Sequence, residues 1–314
     1  MVTREDVGEA AARIAGRVRA TPVIEVEPGR TWFKLELLQH TGSFKARGAF
    51  NRLLAAAERD GLPSAGVVAA SGGNAGLAVA YAAARLGVPA LVYVPETAPE
   101  VKVRGLRAYG AEVVQVGTVY GEAYEAAVKR AADSGALFSH PYDQPEVCAG
   151  AGTLGAELLE QVPGVDTVLV SCGGGGLMAG VAAAVEGSAR VVAVEPERAP
   201  TLHAALRAGR PVDVPVAGVA ADSLGATRAG GIAFETASRT GTPSVLVGDG
   251  AIVEARRALW KEHRLAVEHG AAAALAALRS GAYRPADGER VAVVVCGANT
   301  DPGDLAGHVV SVGG

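Results

Sequence analysis

The chain has 314 residues, 49% of them hydrophobic, enough to bury one large core or two ordinary ones. Its formal charge of −4, with no run of five or six like charges, leaves no electrostatic footprint for nucleic acid or an anionic membrane. The opening MVTREDVGEAAARIAGRV carries acids and no uninterrupted apolar stretch, and no span approaches the roughly 20 apolar residues of a membrane helix, so a soluble cytoplasmic protein is expected.

Short β-branched runs alternate along the chain with Ala-rich amphipathic segments. In order, the strand candidates are GVVAAS (66–71), ALVYVP (90–95), AEVVQV (111–116), DTVLVS (166–171), RVVAVE (190–195), PSVLVG (243–248) and RVAVVVC (290–296). Helical stretches such as NAGLAVAYAAARLG (74–87) and AIVEARRALWKEH (251–263) separate them. Continuous Val-rich runs with helical crossovers predict an α/β fold with open, twisted, mainly parallel sheets flanked by helices. No internal repeat, low-complexity segment or long linker marks a boundary.

The cysteines Cys148, Cys172 and Cys296 form no CxxC pair and are read as reduced. The six histidines show no HExxH or paired ligand spacing, so no zinc site is expected.

Two places join a strand, a glycine-rich turn and a helix. After the first run, Ser71 ends the strand and Gly72, Gly73, Asn74 and Gly76 make the turn; after DTVLVS, Gly173 to Gly176 precede the next helix. Such turns gather backbone N–H groups and a helix N-terminus at one point, which suits an anion. Gly174, Gly176 and Ala179 also fit G-x-G-x-x-A, with Glu195 about 20 residues on, the spacing of a dinucleotide site. A glycine run needed only for close helix packing is a third reading. Four consecutive glycines expose more N–H groups than a dinucleotide turn needs and suit one terminal phosphate.

The segment TGSFKARGAF (41–50) sets a lysine between a glycine-bearing loop and a helical stretch, in a chain whose lysines are Lys34, Lys45, Lys102, Lys129 and Lys261 alone. Arginine keeps its proton in proteins, whereas burial turns lysine into a nucleophilic amine. Lys45 is either such an amine or a solvated neighbour of Arg47. A ligand with one phosphate and a partner lysine suggests pyridoxal phosphate, whose aldehyde forms a Schiff base with an amine.

Eight segments, ATPVIEV, FKLELLQHTGSFKARGAFNRL, AASGGNAGLAVAYAAARLGVPA, HPYDQPEVCAGAGTLGAELLEQ, SCGGGGLMAG, VAVEPERA, ADSLGA and VVVCGANTD, occur in one order over most of the chain. In that order the sequence resembles the serine/threonine dehydratase group of pyridoxal-phosphate enzymes, with the tryptophan-synthase-β-like fold, fold type II. The resemblance implies that Lys45 is the Schiff-base lysine and Phe44 packs beside the pyridine ring. It places Asn74 at the ring hydroxyl, and Ser71 with the backbone of Gly72, Gly73, Asn74 and Ala75 at the substrate carboxylate. Gly173, Gly174, Gly175 and Gly176, with Leu177, would cradle the phosphate. Cys296 would face the pyridine nitrogen as a neutral thiol, which suits elimination of a β-leaving group. Glu195, Ala199 and Thr201 resemble a cation site, and a threonine in place of a carboxylate favours a monovalent ion such as K+.

The implied reaction is dehydration and deamination of L-threonine or L-serine to 2-oxobutanoate or pyruvate plus ammonia, in a homodimer. Its two units would be a large one of residues 1–49 and 143–314 and a small one of 50–142, with the cofactor between them. A racemase, a hydroxyaspartate ammonia-lyase and a β-replacing synthase share the cofactor; a nicotinamide dehydrogenase is a more distant alternative that leaves Lys45 unexplained. Several positions depart from the group. Gly72 stands where racemases carry a second serine, Ala75 replaces a histidine of that loop, His269 replaces a proline after Glu268, and Ala151 stands where glutamine is common. After CGANTD only a short tail follows, so no feedback domain of the allosteric deaminases is expected.

Overall fold

The structure, a computed structural model, describes residues 1–306. Its strands are β1 (Val23–Glu27), β2 (Thr31–Lys34), β3 (Val67–Ala70), β4 (Ala90–Val94), β5 (Glu112–Gln115), β6 (Leu137–Ser139), β7 (Thr167–Ser171), β8 (Arg190–Pro196), β9 (Ser244–Val247) and β10 (Val291–Val294). Its helices are α1 (Arg4–Ile14), α2 (Lys45–Asp60), α3 (Asn74–Leu86), α4 (Glu100–Ala108), α5 (Tyr120–Ser134), α6 (Pro145–Gln161), α7 (Gly176–Val185), α8 (Thr201–Ala208), α9 (Gly231–Thr240), α10 (Asp249–His263), α11 (His269–Ser280) and α12 (Gly303–Ala306).

Six strands form one sheet in the order β1-β2-β10-β7-β8-β9, and four form a second in the order β5-β4-β3-β6. Neighbours are parallel throughout except β1 and β2, which pair as an antiparallel edge. The chain is therefore α/β with two mainly parallel sheets, as the Val-rich runs require. All seven runs form strands. The additional strands are β1 and β2, whose burial is mixed or whose length is short, and the three-residue β6.

Burial on both faces explains why β3, β7 and β10 read as unbroken apolar runs. In β3, Val67 and Ala69 join the core beneath α2 and α3, while Val68 and Ala70 join a separate cluster with Ala127 and Ala131 of α5. Every residue of α7 is buried, and its packing on α6 is close enough to need glycines. A Cβ on Gly180 would stand 2.1 Å from the Cys148 carbonyl oxygen, and one on Gly152 2.5 Å from the Gly180 oxygen. All strands of the second sheet lie between residues 67 and 139, and α2 packs on both α6 and α3. Among the described residues, no helix is long and apolar enough to cross a membrane.

Candidate active site

In open parallel sheets the crevice lies beyond the C-terminal ends of the strands, where the crossover turns gather. Three such ends meet around Lys45. Ser43 bridges to Gly297, and the Phe44 N–H donates to the Cys296 carbonyl at 3.1 Å, so the start of α2 is tied to the end of β10. The loop before it is strained, with Thr41 at φ 61°.

The Lys45 ammonium donates to the Pro141 carbonyl at 2.5 Å and lies 5.0 Å from the centre of the Phe44 ring. Burial lowers its pKa from 10.5 to about 8, against the opposing pull of Cys148, Cys296 and Glu268. Lys45 borders one cavity with Ser71, Ala75 and His140, and another with Phe44, Tyr142, Ala151, Gly176 and Leu177. The structure thus brings the lysine, the first glycine turn and the start of α7 to one place. Cys296 is buried there too, and desolvation drives its thiol pKa up, which keeps it neutral.

The second turn is built for close approach. Gly175 sits at φ +86°, and a Cβ on Gly174 would come within 2.4 Å of the Tyr142 ring. A Cβ on Gly176 would meet the Tyr142 carbonyl oxygen at the same distance, and one on Gly173 the Leu224 Cα at 3.0 Å. No backbone N–H from Gly173 through Leu177 has an acceptor among the described residues. In the first turn the Ser71 hydroxyl accepts the Gly73 N–H at 3.2 Å.

Asn74 opens α3 and uses both ends of its amide. Its Nδ2 donates to Glu268 Oε1 at 2.8 Å, and its Oδ1 accepts from Asn299 Nδ2 at 2.7 Å. Glu268 is a site residue that sequence reasoning misses, because its segment stands out only for the neighbouring His269. It is 8% exposed, and desolvation raises its pKa to about 7 although the Asn74 hydrogen bond opposes this. A Cβ on Gly297 would meet its Oε1 at 2.4 Å, so the glycine after Cys296 leaves room for this carboxyl. Burial lowers the His269 pKa, and the charges that act on it are those of Arg256, Asp304 and Asp249.

A second group invisible to sequence patterns lies under α2. Arg47, with no exposed surface, bonds Glu36 at 2.8 and 2.9 Å and Glu157 at 2.6 and 2.9 Å. Lys34 joins the same Glu157 at 2.7 Å. Two cations and two carboxylates therefore fix the turn that carries Lys45, two residues upstream of Arg47. Their sequence separation hides the network from any local pattern.

Glu195, Ala199 and Thr201 also meet, at the start of α8. Glu195 accepts the Leu202 and His203 N–H groups at 2.7 and 2.8 Å, the Thr201 hydroxyl stands at 3.1 Å, and the Ser244 hydroxyl donates to its other side. The Thr201 hydroxyl also reaches the Gly173 carbonyl, which couples this hub to the glycine turn. The carboxylate is fully buried and acts as the cap of α8, so it is not presented to a ribose as the dinucleotide reading requires.

A family model described as pyridoxal-phosphate dependent enzyme matches residues 14–297. The chain belongs to this family. It is 42% identical to the phenylserine dehydratase of Ralstonia pickettii, covering 95% of this chain and 93% of that one. It is 36% identical to an L-threonine ammonia-lyase of Thermotoga maritima, covering 96% and 76%. The solved maize serine racemase superposes with a TM-score of 0.89 at 32% identity, covering 97% and 96%. The residues present fit the family's cofactor. Five backbone N–H groups without acceptors suit a phosphate, and the buried hydroxyls of Thr41 and Ser43, on the loop before Lys45, have no partner among the described residues.

Proposed function

We propose that this chain dehydrates and deaminates small β-hydroxy α-amino acids, L-threonine or L-serine, to 2-oxobutanoate or pyruvate plus ammonia. The observation that carries the reading is Lys45, a desolvated amine with its pKa lowered to about 8, bordering both cavities that touch the glycine turns. The names of the relatives support it, since threonine, serine and phenylserine share the 2-amino-3-hydroxy acid unit.

Bound pyridoxal phosphate supplies an electrophilic aldehyde and an electron-withdrawing ring. Lys45 would attach it, the N–H groups of Gly173, Gly174, Gly175, Gly176 and Leu177 would hold its phosphate, and Phe44 would lie beside its ring. Asn74 would meet the ring hydroxyl, and Cys296, a neutral thiol, the ring nitrogen. Ser71 and the backbone from Gly72 to Ala75 would bind the substrate carboxylate, at the N-terminus of α3 where a negative charge is favoured. The Lys45 amine would take the α-proton; a pKa near 8 leaves it partly unprotonated near neutral pH. Gly72 and Ala75 bring no hydroxyl or imidazole to the opposite face, which favours elimination over racemisation.

The two units of the reading, 1–49 with 143–314 and 50–142, divide inside α2, and closure of one upon the other would exclude water. A soluble cytoplasmic homodimer completes it, checked by sedimentation. A monovalent cation such as K+ at Glu195, Ala199 and Thr201 does not fit the donors present, because N–H and O–H groups already face both oxygens of Glu195. The reaction is therefore drawn without one.

The deciding experiment is Lys45→Ala assayed with L-threonine for 2-oxobutanoate. Turnover should fall by at least about a thousandfold while pyridoxal phosphate still binds non-covalently. Wild-type rates in that variant would overturn the assignment.

A further inference from the structure

An ion pair joins the two sheets' surroundings beside the site. Lys102, on α4, bonds Asp222, in the segment between α8 and α9. The Lys102 stem passes the first glycine turn, with its Cδ 3.9 Å from where a Gly72 Cβ would stand. Asp222 is held from the other side. The adjacent Ser223 hydroxyl accepts the Gly270 N–H at 3.1 Å and fills the space of a Gly270 side chain, two residues beyond Glu268. Both members act on the Glu268 carboxyl, Asp222 raising its pKa and Lys102 lowering it. Among the described residues Asp222 is the one carboxylate paired with Lys102.

Resting on the dehydratase reading, we propose that Asp222 sets the substrate class of this site: by occupying Lys102 it excludes amino acids with a charged carboxylate on the β-carbon and admits uncharged β substituents. A cation beside the substrate turn would otherwise attract a second carboxylate. With Asp222 in place, a dicarboxylic substrate must displace it from Lys102 and enter beside two acids, Asp222 and Glu268. A methyl group or a hydrogen on the β-carbon meets no such penalty. Selectivity of this kind is built by repulsion of the wrong ligand rather than attraction of the right one.

The test is Asp222→Asn, which keeps the shape and removes the charge at a side chain 68% exposed, where folding is not at stake. In the holoenzyme, kcat/KM for L-threo-3-hydroxyaspartate, read as oxaloacetate, should rise about tenfold, while that for L-threonine changes less than about threefold. Adding Lys102→Met should abolish the gain. A binding measurement stands apart from turnover: spectral titration of the holoenzyme with L-aspartate and with L-alanine, whose affinity ratio should shift about tenfold toward aspartate in Asp222→Asn. An unchanged ratio overturns the proposal. Loss of threonine turnover in the wild-type protein, with the shifted ratio intact, overturns the dehydratase reading alone.

Discussion

Glu268→Gln removes a carboxyl that burial holds at about 7 against an ordinary 4.5, with the Asn74 hydrogen bond and the Lys45 and Lys102 charges opposing the rise and Asp222 adding to it. Folding lifts the pKa of this acid, so the folded chain binds the proton more tightly than the unfolded chain, and stability falls as pH rises. The penalty is small below 4.5, grows between 4.5 and about 7, and is full above that window. At 1.36 kcal/mol per tenfold, its full size is about 3 kcal/mol. Glutamine keeps an oxygen for Asn74 Nδ2 and carries no charge. Cofactor-free Glu268→Gln should therefore exceed wild type by about 3 kcal/mol at pH 8, roughly a 5 °C rise in Tm, and by under about 1 kcal/mol at pH 5. Thermal melts of both proteins from pH 5 to 8.5 check this. A difference that does not change with pH, or a glutamine variant less stable than wild type, would refute the reasoning and mean that the carboxyl is ionised at no cost.

Arg47→Met leaves Glu36 and Glu157 short of a partner beneath α2 and should cost about 3–5 kcal/mol in urea unfolding; a loss under about 1 kcal/mol would show the network to be dispensable. Gly174→Ala places a methyl 2.4 Å from the Tyr142 ring, and the overpacking of about 1–3 kcal/mol should appear as roughly ten- to a hundredfold weaker pyridoxal phosphate binding by fluorescence titration. Replacing K+ by tetramethylammonium after chelation should leave threonine turnover within about twofold, because protein donors face both oxygens of Glu195; a large loss would restore a cation to that hub.

The parallel strands, the two glycine turns and Lys45 are all legible in the amino-acid sequence, because each rests on a short-range signal. An apolar run of four to six residues marks a strand buried on both faces, and a glycine cluster after it marks a turn whose backbone must approach something closely. The antiparallel pair β1 and β2 is not legible, since the edge strand β1 alternates with exposed glutamates and β2 is only four residues long. His269 stands out for replacing a proline, yet the acid one residue before it is the group that meets Asn74.

Sequence alone determined the α/β class and marked the lysine and the two glycine turns. Tertiary structure decided which distant groups share that space: Glu268 with Asn74 across 194 residues, Arg47 with Glu157 across 110, Lys102 with Asp222 across 120. The physical reason is that periodicity and turn chemistry act over a few residues, whereas desolvation and pairing of charges depend on which elements pack together. The altered pKa values of Lys45 and Glu268 arise only once the sheets and their crossover turns enclose them.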